Sequence, residues 1–274
     1  MSSDKSKNHK VSNSSKVSPP TSREDLEVAA IDLNCDMGEG IGNDELIMPY
    51  ISSANIACGY HAGDEKTIWK TIELAIKYNV AIGAHVSFFD KENFGRSEMN
   101  LPANEVYDLV TQQLIIIQEI VDSFPIKLNH VKPHGALYNL SAKDALIAKT
   151  IALSVKDFNE NLVLFGLSGS LSIKEAKAIG LKTANEVFAD RIYQDDGSLT
   201  PRSQQNALIE DADKAIEQVL QMIKKGTVTT ISGKKISIAA ETVCIHGDGK
   251  HAVELAKNIS EAIKKEGIRI IPVV

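Results

Sequence analysis

From residue 28 onward, short apolar runs alternate with longer stretches whose apolar residues recur at helical spacing. The short runs Ala29–Cys35, Ser53–Cys58, Val80–His85, Ile126–Lys132, Leu162–Leu167, Thr183–Phe188, Ala239–Ile245 and Ile268–Pro272 read as strands. Between them, Ile68, Ile72, Ala75 and Ile76 form a stripe on one helix face, with Asp64 placed to cap its start. A second helix begins near Pro102, a good first-turn residue, and runs to about Phe124. Others occupy roughly Ala142–Asp157, Ile209–Lys225 and Lys250–Glu266; the last two are followed by Gly226 and Gly267. Strand-then-helix order predicts parallel strands with right-handed crossovers, either an open doubly wound sheet or a closed barrel. Residues 227–238 break the pattern, and Ser232-Gly233-Lys234 between β-rich arms predicts an inserted hairpin.

Polar positions decide between the two architectures. In the first strand, a period of two puts Asp32, Asn34 and Asp36 on one face and Ile31, Leu33 and Cys35 on the other. Further acids, amides and bases sit where later strands end: His61, His85, then His130, Lys132 and His134, then Glu186, Asp190 and Arg191, and finally His246 and Asp248. An open sheet would spread these along an edge. A barrel gathers all of them at one mouth, where barrel enzymes keep their chemistry, so the barrel is favoured.

Composition changes the picture little. Of 274 residues, 43% are hydrophobic and 24% charged, and the net charge of −6 offers no attraction to nucleic acid or to an anionic membrane. No apolar run approaches the roughly 18 residues of a membrane span. Cys35, Cys58 and Cys244 are scattered through strand-like runs, which predicts buried reduced thiols and a cytoplasmic setting. Residues 1–27 are rich in Ser, Lys and Asn, lack periodicity and lack a secretory apolar stretch, which predicts a disordered tail ahead of a single barrel domain over 28–274.

Several common chemistries are excluded. Gly38-Glu39-Gly40-Ile41-Gly42 has the wrong spacing for a dinucleotide loop, and Asp36 and Glu39 would repel a pyrophosphate. There is no GxxxxGK[ST] phosphate loop and no GxSxG elbow. Acids and histidines on a barrel rim suit general acid–base hydrolysis, with or without a divalent metal.

The motifs Asp32-Leu-Asn-Cys-Asp-Met-Gly-Glu-Gly40, Asn55-Ile-Ala-Cys-Gly-Tyr-His-Ala-Gly-Asp64, Val131-Lys-Pro-His-Gly-Ala-Leu-Tyr-Asn139, Glu186-Val-Phe-Ala-Asp-Arg191 and Cys244-Ile-His-Gly-Asp248 resemble the LamB/YcsF family, in matching order from about residue 30 to the C-terminus. Val86 and Ser97 depart from that pattern, where proline and a second arginine are usual; the latter leaves any anion-holding role there to Arg96. The resemblance implies a β/α barrel of the glycoside hydrolase/deacetylase type with seven mostly parallel strands, which makes Ile268–Pro272 the least secure strand. It also implies the A component of an ATP-dependent 5-oxoprolinase, opening 5-oxo-L-proline to L-glutamate with subunits B and C, which share the Mg–ATP step. On this reading Asp36, His134, Lys132 and Glu39 carry the chemistry. Asn34, His85, Arg96, Glu186, Asp190, Arg191, His246 and Asp248 line the substrate site, with Lys132 and Arg191 holding anionic groups. Asp32 and His61, joined by His85 or His130, are the candidate ligands if a metal is bound. The competing readings are a metal-dependent amide or carbohydrate deacetylase and a non-catalytic component that binds 5-oxoproline.

Overall fold

The computed structural model describes Met1 and residues 29–247, 249 and 251–274. The expected tail beyond Met1 and the candidate site residue Asp248 therefore lie outside the described residues.

The strands are β1 (Ala30–Met37), β2 (Ser53–Ala57), β3 (Ala81–Val86), β4 (Leu128–Pro133), β5 (Val163–Leu167), β6 (Lys182–Phe188), β7 (Thr227–Thr229), β8 (Lys235–Ser237), β9 (Thr242–Ile245) and β10 (Arg269–Ile270). β1 pairs in parallel with β2 on one side and β9 on the other, which closes β1 to β6 and β9 into a seven-stranded barrel. The eighth candidate strand stays outside the ring. β10 pairs with β1 only at its entry, Ala30↔Arg269 and Ile31↔Ile270. β7 and β8 form an antiparallel hairpin beside the barrel.

Around the ring lie α1 (Asp44–Ile47), α2 (Glu65–Tyr78), α3 (Ala103–Val121), α4 (Gly135–Lys143), α5 (Ala145–Phe158), α6 (Leu171–Ala178), α7 (Ala212–Lys225) and α8 (Ala252–Lys265). The Asp64 carboxylate accepts from the Thr67 amide at 2.8 Å, a cap that contributes about 1 kcal/mol to α2. The helix expected over 142–157 is α5, and α4 before it was not expected. Asp144 ends α4 and its side chain then accepts from the Ile147 amide to start α5. The short helix α6 follows a serine–glycine turn and carries too few apolar positions to show a period.

β1 explains how the layers form. Ile31, Leu33, Cys35 and Met37 point outward and join the main apolar core between barrel and helices. Asp32, Asn34 and Asp36 point inward and are buried as well, at 1%, 0% and 8% exposure. The barrel interior is thus polar toward the mouth, with a small apolar cluster of Val163, Phe165 and Ala184 apart from the main core. All three cysteines are free and buried.

Candidate active site

Strand register stacks the inner residues in layers. Asp36 is level with Asn55, Asn55 with Gly83, and Gly83 with His130. Gly83 is required in that layer: a Cβ there would lie 2.0 Å from His130 Nε2. His130 donates from Nε2 to Asn55 Oδ1 at 2.8 Å and stacks on Phe165. Burial holds the His130 imidazole down to about 3. Two inward positions lower on β1, Asp32 accepts from Ser52 at 2.6 Å, from Ser53 at 2.7 Å and from Thr242, while burial pushes its carboxyl up to about 6. Asn34 is equally committed. Its amide nitrogen donates to Glu186 and Thr242 and its oxygen accepts from Asn55.

Lys132 stands at the centre of the next layer. Its ammonium lies 2.8 Å from Asp36 Oδ1 and 2.9 Å from Glu186 Oε1, and donates to Cys244 Sγ at 3.1 Å. Burial alone would lower the Lys132 ammonium, but Asp36, Cys244 and Glu186 reverse this and hold it well above the usual lysine value. Burial likewise pushes the Asp36 carboxyl up, and His85 and Lys132 outweigh it, so the group stays ionised. Tyr138 closes this side; burial and the Glu186 charge keep its phenol protonated.

Above Asp36 three histidines from different strand ends meet. His85 Nδ1 donates to the Lys132 carbonyl at 2.9 Å. His134 Nε2 donates to the Phe94 carbonyl at 2.9 Å. His61 Nδ1 lies 3.0 Å from Ser87 Oγ and its Nε2 lies 3.2 Å from the Glu39 carboxylate, which can only accept. Burial and the neighbouring His85 hold His61 well below the usual histidine value, and burial with His61 does the same to His134. Phe94 adopts a left-handed φ of 56° and Gly95 one of 67°, backbone strain that aims the Phe94 carbonyl at His134.

These groups open onto a cleft of about 840 Å³ whose wall includes Asp36, Glu39, His85, Lys132, His134 and His246. His246 is oriented by Asp190, whose two carboxylate oxygens each lie 2.9 Å from its Nδ1, so Nε2 is left to act as base or acceptor. A ring nitrogen of His246 lies within 4.8 Å of Asp36 and Cys244. Arg191, which donates to the Thr200 carbonyl, and Arg96, which lies over the Phe94 ring, also face the cleft.

The sequence-derived candidates therefore fall into two sets. Asp36, Glu39, His85, Arg96, Lys132, His134, Arg191 and His246 reach the cleft wall. Asn34 and Glu186, both at 0% exposure, do not; they brace Lys132 from within the lumen, and Asp190 positions His246. Asp32 and His130 sit deeper, bound to hydroxyls and to Asn55, away from the histidine cluster that His61 joins. Asn55, Ser87, Phe94, Tyr138 and Cys244 carry parts of the site that sequence reasoning missed. Of these, Asn55, Tyr138 and Cys244 lie inside the motifs quoted above, and Asn55 is also a lone amide inside an apolar strand.

The LamB/YcsF family model matches residues 31–274. The 5-oxoprolinase A component from Oceanobacillus iheyensis is 51% identical over 245 residues, covering 88% of this chain and 95% of that protein. The protein of the same name from Bordetella pertussis is 49% identical over 246 residues, covering 88% and 98%. A crystal structure of a lactam utilization protein from Thermus thermophilus superposes with a TM-score of 0.84 at 38% identity, covering 89% of this chain and 100% of that one. With its motifs spread over the same strand ends and the match running through the whole barrel, the chain belongs to the LamB/YcsF family.

Proposed function

We propose that this chain is the A component of an ATP-hydrolysing 5-oxoprolinase and performs the ring opening of 5-oxo-L-proline to L-glutamate. The observation that carries this reading is a polar, water-accessible barrel mouth with ionised Asp36, protonated Lys132 and an oriented His246, in a chain half identical to proteins of that name.

The chemistry needs such a set. A five-membered lactam is a stable amide, so its carbonyl carbon must be made electrophilic, a water deprotonated and the leaving ring nitrogen protonated. Transfer of the ATP γ-phosphoryl group to the carbonyl oxygen supplies the first need. That transfer releases ADP; addition of one water and cleavage of the carbon–nitrogen bond then give γ-glutamyl phosphate, which a second water hydrolyses to glutamate and phosphate. In this reading His246 Nε2, backed by Asp190, takes the proton from water and returns it to nitrogen. Lys132 and Arg191 hold the anionic groups, and Asp36 fixes Lys132. His134 drops out as a proton donor to substrate, since its only N–H is committed to the Phe94 carbonyl. The sequence contains no glycine-rich phosphate loop, so partner subunits B and C supply most of the ATP site.

The test is glutamate formation from 5-oxoproline and ATP by the chain alone and by the chain mixed with the B and C components of a relative. Turnover by the mixture and none by the chain alone is the expected result. An inactive mixture whose components do associate overturns the reading.

A further inference from the structure

We infer that Glu39, His61, His85 and His134 form a binding site for one divalent transition-metal ion, with zinc as the best fit. One ligand atom from each of the four lies within 4.8 Å of every other. The inference rests on the convergence of these four ligand atoms, and it is independent of the lactam reading.

Each outer nitrogen is held by a neighbour: His85 Nδ1 and His134 Nε2 donate to the Lys132 and Phe94 carbonyls, and His61 Nδ1 lies 3.0 Å from Ser87 Oγ. The inner nitrogens, His61 Nε2, His85 Nε2 and His134 Nδ1, converge with a Glu39 carboxylate oxygen. His85 Nε2 and His134 Nδ1 face each other at 2.8 Å, with Asp36 Oδ2 a further 3.3 Å from His85 Nε2. His61 Nε2 faces the Glu39 carboxylate at 3.2 Å. Contacts this short need a proton or a metal ion between the two atoms, and one metal ion at the centre would serve all four ligand atoms at once.

Size and donor type agree. The edges His85–His134, His61–Glu39 and His134–Glu39 measure 2.8, 3.2 and 3.8 Å, around the edge of about 3.4 Å that a tetrahedron with bonds near 2.1 Å requires. Three imidazoles and one carboxylate suit zinc and its first-row neighbours rather than magnesium or calcium. Outer nitrogens pinned by backbone carbonyls are the usual companions of metal-bound histidines. His61 and His134 now stack nearly parallel, 9° apart, and must tilt to bring an ion into both ring planes. The second convergence, Asp36 with Cys244 and His246, is already met by the Lys132 ammonium and offers a cation no net advantage.

The full chain, prepared without chelator and then as metal-free protein titrated with zinc and with cobalt, tests the site. About one equivalent per chain is expected, with the visible absorption of four-coordinate cobalt. Glu39→Gln and His61→Gln should each weaken binding by more than the roughly tenfold to hundredfold that losing an outer partner costs, and Ser87→Ala should fall within that range. His130→Gln, off the cluster, should bind as the wild type does. Circular dichroism identifies a variant that fails to fold, and Glu39→Gln, on the loop after β1, carries the test if the histidine variant does. Wild-type protein that takes up neither ion at micromolar concentration overturns the site, as does undiminished binding by folded Glu39→Gln. A metal-free protein that still opens 5-oxoproline with its partners would place the site outside that chemistry and leave the proposed function standing.

Discussion

The Lys132 ammonium lies 2.8 Å from Asp36 Oδ1 inside the barrel mouth, and neither charge is stable there without the other. Lys132→Met leaves the Asp36 and Glu186 carboxylates buried without a counter-charge. We expect unfolding free energy to fall by about 3–5 kcal/mol in urea titrations. Adding Asp36→Asn and Glu186→Gln to the same chain should recover most of it. A single variant as stable as the wild type would show that water reaches this layer freely.

Asp36→Asn keeps the shape of the side chain but removes the charge that holds Lys132 and faces the cleft. Turnover of 5-oxoproline by the assembled enzyme should drop on the order of a hundredfold or more. Gel filtration should show the components still associated, because Asp36 faces inward. Unchanged turnover would remove Asp36 from the chemistry.

Asp190→Asn tests the oriented base. The carboxylate holds the His246 proton on Nδ1, and an amide can instead present its own N–H there and turn the tautomer over. A loss of at least about a hundredfold in kcat with little change in KM is the expected split. A change confined to KM would mean that His246 binds substrate without moving its proton.

Gly83→Ala places a Cβ 2.0 Å from His130 Nε2, against a ring that Phe165 backs from the other side. The overpacking should cost about 1–3 kcal/mol. For a chain of this size that is a fall of several degrees in Tm, readable by calorimetry. The double variant with His130→Ala should regain part of the loss; an additive double variant would show that the clash lies elsewhere.

Acid stability should expose two buried groups of opposite sign. His130 has its value lowered to about 3, so below about pH 6.5 the unfolded chain binds a proton that the fold refuses. Stability is lost as pH falls, by about 1.4 kcal/mol per unit at most. Asp32, raised to about 6, works the other way, because the folded form holds its proton above the unfolded value; that contribution is present below about pH 4 and fades as pH rises toward 6. Between pH 4 and 6 the two nearly cancel. His130→Gln removes one of them, so its stability relative to wild type should rise as pH falls from 6.5 to 4. A pH-independent difference would mean that His130 titrates normally.

The residues that alternate along single strands were legible before any fold was known. Ile31 to Met37 announces an inward polar face by spacing alone, since side chains of a strand alternate without reference to anything distant. The positions of His61, His85, Lys132, His134 and His246 at strand ends likewise follow from local pattern, and one barrel mouth follows from parallel order. The depth of each group along the barrel axis was not legible. Register between strands puts His130 level with Gly83 and Asn55, and places His134, four residues on, beside His85 and His61. Candidate ligands chosen by residue type therefore mixed two layers, Asp32 and His130 from below with His61 from above. The outer protons of His85 and His134 were equally hidden, because they are set by the carbonyls of Lys132 and Phe94, which carry no sequence signature. Local periodicity determined which side chains enter the barrel; only closure of the ring, with its register, decided which of them share a layer and can act on one another.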